Sequence, residues 1–460
     1  MKILELSSAF PPSRGGVEMT VSELSKRLAE RGHEVTVITS TRGGETRYSD
    51  ELVGKVRVIR MPERLHIFEA PILPQIAYRA MFCDFDVLHV HGMSPTISDL
   101  GIMVGKLRRK PVVLTYHNDA ESTMQWGIAK AAAKVYARFC VPIVGMADSI
   151  VCATDSYGTS SLVLKHFRGK VEVIPLGVDT SRFANTGSRV GSSDGSKEVL
   201  FVGQLKEYKG VDFLIEAIAK LRQDGTDVRL SVAGDGPSYP RLKAMVDAKG
   251  MGESVRFIGN VENSRLVELY DACDLVVLPS TGRREAFGLV QLEASAAGKA
   301  VVATDIPGVS DVNKKLGGYL AKPSDADSLA IQIARALGVK HDPEKLKQAA
   351  ASMSWEKVTI EYEELFQTLL KPRGDEELEP VSQSQPPIAV LAQPSAAFAS
   401  AQSSGSFGDG QIQANASLRD GVANRFQRFA RWLVENGYAI IGTVAAILVS
   451  MYVVGNLSPS

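Results

Sequence analysis

The sequence predicts an α/β protein made of two similar halves, followed by a polar linker and a membrane-spanning helix. Short apolar segments alternate with helical stretches through residues 1–183 and again through 198–353. A stretch rich in Gly, Ser and Asp separates the two series, and a long uncharged apolar segment lies near the C-terminus, at 437–454. Alternating strands and helices are typical of parallel, doubly wound sheets, so each half is predicted to be Rossmann-like, with the two halves facing a central cleft.

In the first half, the strand candidates are short runs of aliphatic and β-branched residues. They lie at 3–6, 35–39, 56–59, 87–90, 112–116, 150–153 and 171–175. The helix after the first strand is marked by Val21, Leu24 and Leu28, which share one face, and by Gly32, which is suited to end it.

The second half repeats this pattern after the linker at 184–197. Its strands are predicted at 199–202, 228–232, 255–258, 275–278 and 301–303, and its helices at 212–222, 241–249, 265–272 and 289–297. Residues 354–370 carry Trp355, Tyr362 and Phe366 at helical spacing, which predicts a helix that closes the globular part.

The composition changes beyond residue 370. Residues 371–424 are dense in Pro, Ser, Ala, Gln and Gly, which predicts a disordered linker. Residues 425–436 combine aromatic side chains with arginines, which indicates an amphipathic segment on an anionic membrane surface. As a helix, residues 437–454 would be about 27 Å long, close to the hydrocarbon thickness of a bilayer, with a buried core helix as the alternative. Because the arginines precede this span, the positive-inside rule predicts a single-pass protein with its globular part in the cytoplasm.

Composition also limits the partners. Lys plus Arg (52) equal Asp plus Glu (52), so no excess of basic charge indicates nucleic-acid binding. The four cysteines are scattered and lack Cys-x-x-Cys spacing, so neither a structural disulfide nor a zinc ion is expected. Glu5 interrupts the first apolar run, which favours a first strand over a signal peptide.

A loop bounded by glycines leaves the first strand of the second half. Gly203 begins it, Lys206 and Lys209 provide cations, and Gly210 leads into a helix. Lysines in such a loop can bind a diphosphate, although a solvated surface loop has the same composition. The Gly-Asp-Gly-Pro run at 234–237 predicts a sharp turn, with or without a ligand.

Two glutamates flank the start of another helix of the second half. Glu285 precedes Phe287 and Gly288, where the helix is predicted to begin, and Glu293 lies about two turns further on. Backbone N–H groups at a helix start can bind an anion. Both carboxylates are therefore predicted to line one cleft and to accept hydrogen bonds from the hydroxyls of a sugar and a ribose. The alternative is surface charge that complements the helix dipole.

Glycines also lie between the first strand and the first helix. Gly15 and Gly16 are followed closely by Glu18. Residues without a side chain let the backbone approach a reacting phosphate or an acceptor, and a mobile loop without a ligand is the alternative.

Three histidines lie near strand ends in the first half. His117 is placed at the carboxyl end of a strand, where open α/β sheets position ligand-binding groups, and His89 and His91 are placed similarly. One or more of the three is expected to be a satisfied core group instead.

Taken in order, these motifs resemble glycosyltransferase family 4 over residues 1–370. The matching features are the Gly15-Gly16 loop, the Ile-Pro-Leu-Gly-Val-Asp segment at 174–179, Gly203 with Lys209-Gly210, and Glu285 followed by Glu293. The resemblance implies a GT-B fold and a nucleotide-sugar donor bound mainly by the second half. It also implies transfer with retention of anomeric configuration, and no metal or other cofactor.

The resemblance implies roles for individual residues. Glu285 would contact the transferred sugar, His117 would line the sugar site, and Gly16 would approach the reaction centre. Lys209 would contact the diphosphate, and Glu293 would bind the ribose. The other implied candidates are Gly203, Gln204, Arg284, Phe287, Gly288 and Leu289 on the donor side, and Gly15 and Glu18 on the acceptor side.

Gln204 departs from the family pattern, which usually has Arg at this position, so a diphosphate clamp loses one charge. Arg283 or Arg284 is expected to compensate.

The sequence therefore predicts a retaining glycosyltransferase at the cytoplasmic face of a membrane, with a nucleotide-sugar as donor. Its position at the membrane favours a lipid-linked acceptor. Two other functions stay open: a sugar-nucleotide epimerase on the same fold, and an inactive tail-anchored scaffold, which Gln204 favours.

Overall fold

The first half of the chain folds around an eight-stranded sheet in the computed structural model. The structure describes residues 1–371 apart from 14, 42–46, 64–65, 68–69, 95, 120–135, 139, 185 and 187–194. The strands are β1 (Lys2–Leu6), β2 (Glu34–Ser40), β3 (Ser49–Val53), β4 (Val56–Met61), β5 (His66–Ile67), β6 (Ala70–Pro71), β7 (Val87–His91), β8 (Val112–Tyr116), β9 (Ser149–Cys152) and β10 (Val171–Val173). The order in the sheet is β10-β9-β8-β7-β1-β2-β4-β3, and β5 pairs with β6 separately.

Burial distinguishes the predicted strands β7 and β8 from the missed strand β3. Every residue of β7 and β8 is buried, as expected for strands covered on both faces of a parallel sheet. The unpredicted β3 is exposed along most of its length and runs antiparallel to β4. Its sequence, Ser-Asp-Glu-Leu-Val, has no buried face to reveal it. The hairpin turn uses Gly54, which has a positive φ of 63°.

The second half contains a six-stranded sheet whose neighbouring strands are all parallel. Its strands are β11 (Lys197–Val202), β12 (Val228–Ala233), β13 (Val255–Gly259), β14 (Leu275–Leu278), β15 (Ala300–Thr304) and β16 (Tyr319–Ala321). The order β13-β12-β11-β14-β15-β16 reverses direction between β11 and β14. Ligands of doubly wound sheets bind outside the carboxyl ends of strands at such a switch point.

Helices cover both sheets. Those of the first half are α1 (Gly16–Glu30), α2 (Pro74–Phe82), α3 (Ser98–Leu107) and α4 (Asp155–Ser160). Those that follow are α5 (Val211–Gln223), α6 (Tyr239–Ala248), α7 (Asn263–Ala272), α8 (Leu289–Ala296), α9 (Val309–Lys315), α10 (Ala326–Leu337), α11 (Pro343–Ala351) and α12 (Trp355–Leu370). In α1, Val21, Leu24 and Leu28 are fully buried, as their spacing predicts, and Gly32 follows the helix with a φ of 92°.

The last helix returns to the first half. Trp355, Tyr362 and Phe366 of α12 belong to the same buried cluster as the apolar residues of β1 and α1. The chain passes from the second sheet to this helix beside Gly177, where an added Cβ would lie 2.5 Å from the ring of Trp355. The helix predicted at 354–370 therefore completes the core of the first half.

None of the described helices is long and apolar enough to cross a membrane. The predicted linker at 371–424, the amphipathic segment at 425–436 and the membrane helix at 437–454 all lie outside the described residues, apart from residue 371.

Candidate active site

The candidate site lies where loops follow the carboxyl ends of β11 and β14. The loop after β11 runs from Gly203 to a 3₁₀ turn at Glu207–Lys209, and Gly210 then caps α5 with a φ of 65°. The loop after β14 packs directly on it, because Thr281 N–H donates to the carbonyl of Tyr208 at 2.8 Å. A Cβ added at Gly210 would lie 2.1 Å from a carbonyl oxygen of this second loop, so the two loops fit together only with glycine there.

Lys209 and Glu285 form an ion pair between these two loops. The Lys209 ammonium contacts Oε2 of Glu285, and both side chains are 13% exposed. Ser280 Oγ also donates to this oxygen at 3.2 Å. Burial by itself lowers the pKa of Lys209, but the charge of Glu285 and the neighbouring Tyr208 more than offset it, so the pKa is raised. Lys209 is therefore a fixed cation at the switch point of the second sheet.

Tyr208 brings a second cation near this pair. The Lys209 Nζ lies 5.4 Å from the centre of the Tyr208 ring, and the Arg284 guanidinium lies 5.0 Å from it. Gln204 is exposed in the same loop. Gly203 is close to the ion pair, since an added Cβ would lie 3.8 Å from Lys209 Nζ.

Arg283 has a different place from the one expected. Its guanidinium donates to Asp119 Oδ2 at 2.8 Å and to Ser160 Oγ at 2.6 Å, and it lies 4.7 Å from the centre of the Tyr157 ring. These partners belong to the first half, so Arg283 joins the two halves. Of the two arginines expected to compensate for Gln204, only Arg284 lies beside the Lys209 loop.

Glu293 does not share the partners of Glu285. It lies within α8, is 9% exposed, and accepts a hydrogen bond from the hydroxyl of Tyr270 at 2.8 Å. Burial raises its pKa, against the lowering effect of Tyr270 and Arg182. The sequence predicted that the two carboxylates line one cleft with different roles, and the structure gives Glu285 a lysine partner and Glu293 a tyrosine partner.

The start of α8 connects the glutamates to the rest of the site. Gly288 precedes the helix with a φ of 76°, and a Cβ there would lie 2.4 Å from Leu278 of β14. Phe287 is buried in the apolar core. Leu289, the first residue of α8, faces the first half: a Cβ added at Gly16 would lie 3.8 Å from its side chain.

The glycines of the first half differ in what surrounds them. Gly16 is the first residue of α1, and its added Cβ would meet Leu289 at an ordinary contact distance. A Cβ at Gly15 would instead lie 2.2 Å from Oε2 of Glu18, so Glu18 packs against the residue that precedes the helix. Gly16 therefore lies beside the first residue of α8.

The three histidines are arranged as a line from the core outward. His89 is fully buried and lies 2.7 Å from Thr115 Oγ1. His91 Nδ1 lies 3.3 Å from His117 Nε2, and the two rings are nearly parallel. Burial lowers the pKa of His117 well below its usual value, so its imidazole is neutral. His89 is thus a buried core group whose Nε2 is partnered by Thr115.

Sequence reasoning missed several residues that shape the site. Ser156 and Gly308 form a second connection between the halves, since Gly308 N–H donates to Ser156 Oγ at 2.9 Å and Ser156 N–H donates to Asp311 Oδ2 at 3.0 Å. A Cβ at Gly308 would lie 2.0 Å from the carbonyl of Ala286, next to Glu285. Only the Asp-Ile-Pro-Gly turn at 305–308 marks this position in the sequence.

Comparisons with known proteins agree with this architecture. The profile "Glycosyltransferase Family 4" matches residues 14–182, and "Glycosyl transferases group 1" matches residues 186–353. The O-antigen chain mannosyltransferase C of Escherichia coli is 27% identical over 72% of this chain and 86% of its own length. The glycogen synthase of Mycobacterium tuberculosis is 27% identical over 83% of this chain and 97% of its own length. The alpha-monoglucosyldiacylglycerol synthase of Streptococcus pneumoniae is 26% identical over 70% of this chain and 75% of its own length.

Solved structures support the fold. Sucrose-phosphate synthase from Thermosynechococcus elongatus superposes with a TM-score of 0.65 at 22% identity, covering 80% of this chain and 98% of its own. The Anabaena protein HepE, in complex with UDP-glucose, superposes with a TM-score of 0.60 at 19% identity. This match covers 80% of this chain and 100% of HepE. The chain is an enzyme of the glycosyltransferase class with a GT-B fold. It belongs to the glycosyltransferases that combine a family 4 first half with a group 1 second half.

Proposed function

We propose that the enzyme transfers a sugar from a nucleotide-sugar to an acceptor at a membrane, with retention of anomeric configuration. The observation that carries the donor assignment is the Lys209–Glu285 pair at the switch point of the second sheet. A buried ammonium suits a diphosphate, and an adjacent carboxylate suits the hydroxyls of the attached sugar. The similarity to a protein in complex with UDP-glucose supports the same donor class.

In this proposal the protein positions the reactants and stabilises charge. The bond from the anomeric carbon to the diphosphate oxygen breaks, and the acceptor oxygen bonds to that carbon on the same face. The acceptor proton passes to the departing diphosphate. Lys209 and the N–H groups at the start of α8 stabilise the leaving charge, so transfer needs no metal ion at the diphosphate. Glu293 binds the ribose, and neutral His117 lines the sugar site.

We further propose that the acceptor is lipid-linked and that the enzyme is a single-pass membrane protein with its catalytic part in the cytoplasm. The apolar segment at 437–454 and the arginines before it support this location. A relative named for a glycosylated diacylglycerol supports the acceptor class, whereas the relative named glycogen synthase leaves a soluble polymer as the competing acceptor.

A panel of radiolabelled nucleotide-sugars, incubated with purified enzyme and membranes, tests these points. We expect release of nucleoside diphosphate, label in the organic-solvent extract, and a product with the anomeric configuration of the donor by NMR. Addition of Mg²⁺ or Mn²⁺ should leave the rate unchanged. An epimerase would yield a new nucleotide-sugar without release of nucleoside diphosphate, and a scaffold would yield no product. Glu285→Ala provides the matched low-activity control.

A further inference from the structure

Three buried polar side chains beneath the carboxyl edge of the first sheet have no role in the proposed transfer. They are Glu5 of β1 and His89 and His91 of β7, and all three side chains are 0% exposed. Glu5 and His89 are register partners on adjacent strands, so their side chains share one face of the sheet. Helix α12 covers this face, since the Tyr362 ring lies 5.2 Å from that of His89.

Each of the three side chains uses one polar atom to contact a supporting residue. These contacts are Ser25 Oγ to Glu5 Oε2 (2.9 Å), His89 Nε2 to Thr115 Oγ1 (2.7 Å) and His91 Nδ1 to His117 Nε2 (3.3 Å). Thr115 Oγ1 is itself 2.9 Å from the hydroxyl of Tyr362. Contacts of this kind fix the orientation of both imidazoles and of the carboxylate.

The other ring nitrogen of each histidine faces the Glu5 carboxylate. Glu5 Oε1, His89 Nδ1 and His91 Nε2 have no hydrogen-bond partner among the described residues, although each is buried. His91 Nε2 lies 3.3 Å from Glu5 Oε2, and His89 Nδ1 lies 3.7 Å from Glu5 Oε1. Buried polar atoms are nearly always satisfied, and a species bound between these three side chains would satisfy all three atoms at once.

We propose that Glu5, His89 and His91 bind a divalent transition-metal ion of the zinc type. Zinc binds imidazole nitrogen and carboxylate oxygen at about 2.0–2.2 Å, and tetrahedral geometry then separates neighbouring ligand atoms by roughly 3.3–3.5 Å. One ligand atom from each of the three side chains lies within 4.8 Å of the others, so small side-chain shifts would bring all three onto one ion. Ca²⁺ and Mg²⁺ fit poorly, because both prefer sites made of oxygen atoms.

The surroundings of the three groups agree with metal binding. Metal-bound histidines are normally held through their second ring nitrogen, as both are here. A cation would also offset the buried negative charge of Glu5, which has no Lys or Arg among its ion-pair contacts in the described chain.

The ion has a consequence for the candidate active site. With Nε2 of His91 bound to the metal, a neutral imidazole carries its proton on Nδ1 and donates it to His117 Nε2. His117 then carries its own proton on Nδ1. The ion thus sets the hydrogen-bonding state of a residue in the sugar site without contacting the donor, which is compatible with metal-free chemistry at the diphosphate.

Metal content of the full-length protein tests the proposal. After treatment with a chelator, incubation with excess Zn²⁺ and desalting, we expect about one zinc per chain by mass spectrometry, with a raised Tm. His91→Gln should lose both the zinc and the Tm increase. His33→Gln is the matched control, because His33 lies 3.0 Å from the single carboxylate of Glu363 without a second histidine ligand. It should retain zinc.

Further measurements keep the test decisive if His91→Gln fails to fold. Thr115→Val removes the supporting contact to His89, together with the contact to the Tyr362 hydroxyl, and leaves all three proposed ligands in place. It should weaken zinc binding by about 10- to 100-fold. Co²⁺ in place of zinc should give the intense visible absorption of a four-coordinate site. Folded wild-type protein that retains no zinc would overturn the proposal and leave a buried water to satisfy the three atoms. Equal zinc retention by wild type and folded His91→Gln would also overturn it.

Discussion

Replacing Glu285 with Gln should tighten the binding of a nucleoside diphosphate while slowing sugar transfer. In the structure, the carboxylate of Glu285 neutralises the Lys209 ammonium, and both side chains are only 13% exposed. A diphosphate that binds Lys209 must compete with this carboxylate. Glu285→Gln removes the competing charge, keeps the size of the side chain, and retains an oxygen that can accept the hydrogen bond from Ser280.

The size of the effect follows from the charges. A carboxylate roughly 6 Å from a phosphate charge opposes binding by roughly 2–3 kcal/mol at an effective dielectric constant of about 20. Water in the open cleft reduces this to about 1–2 kcal/mol, which corresponds to a roughly 5- to 30-fold lower Kd. Turnover should fall about 100-fold, because a neutral amide stabilises the developing positive charge on the sugar less well than a carboxylate.

Calorimetry with nucleoside diphosphate and single-turnover transfer assays measure the two effects separately. Asp327→Asn is the control, because it breaks another Lys–carboxylate pair, with Lys220, on an exposed surface. Lys209→Met should weaken diphosphate binding, and Lys206→Met in the same loop should weaken it far less. Unchanged or weaker diphosphate binding by folded Glu285→Gln would refute the competition for Lys209. Unchanged turnover would refute the sugar contact.

Four further results are expected. Gln204→Arg should preserve or lower the Kd for donor by calorimetry, since it restores a cation in the Lys209 loop, and a marked loss of affinity would contradict this. Glu293→Gln should raise the Kd for nucleoside diphosphate about tenfold while keeping the hydrogen bond from Tyr270, and an unchanged Kd would exclude a ribose contact. Burial raises the pKa of Asp99 to about 7, so the folded state binds a proton more tightly than the unfolded chain does. The folded state therefore loses stability as the pH rises from about 4 to 7. Asp99→Asn should abolish this loss in urea unfolding, worth up to about 4 kcal/mol, and a parallel pH dependence of variant and wild type would contradict it. Truncation after Leu370 should give a soluble, folded enzyme, because residues 1–370 form one compact unit, and its recovery solely with membranes would contradict the anchor.

Predictions from the sequence were most successful for buried parallel strands. β8 begins and ends at the predicted residues, and β14 does as well, because short runs rich in aliphatic residues are typical of strands buried on both faces. The short strand β16 and the edge strand β3 were missed. Both carry exposed or half-buried residues, so their pairing depends on a neighbouring strand rather than on their own composition.

The candidate site was only partly predictable. Glycines with a required positive φ, such as Gly210 and Gly288, were visible in the sequence as turn signals. The ion-pair or hydrogen-bond partner of each charged side chain was not visible in the sequence. Arg283 and Arg284 are adjacent in sequence, yet Arg283 joins the first half through Asp119 and Arg284 lies over the ring of Tyr208. Contacts between residues more than 70 positions apart cannot be predicted from the local sequence around either residue.

By itself, the sequence determined the two α/β halves, the order of the glycine and glutamate motifs, and the resemblance to a glycosyltransferase family. Periodicity and turn chemistry are local properties, so they can be read from neighbouring residues. Only the tertiary structure decided that Lys209 is neutralised by Glu285, that α12 seals the first sheet, and that Glu5, His89 and His91 meet in its core. Such meetings depend on strand order and register, because parallel strands distant in sequence bring their side chains together only once the sheet has formed.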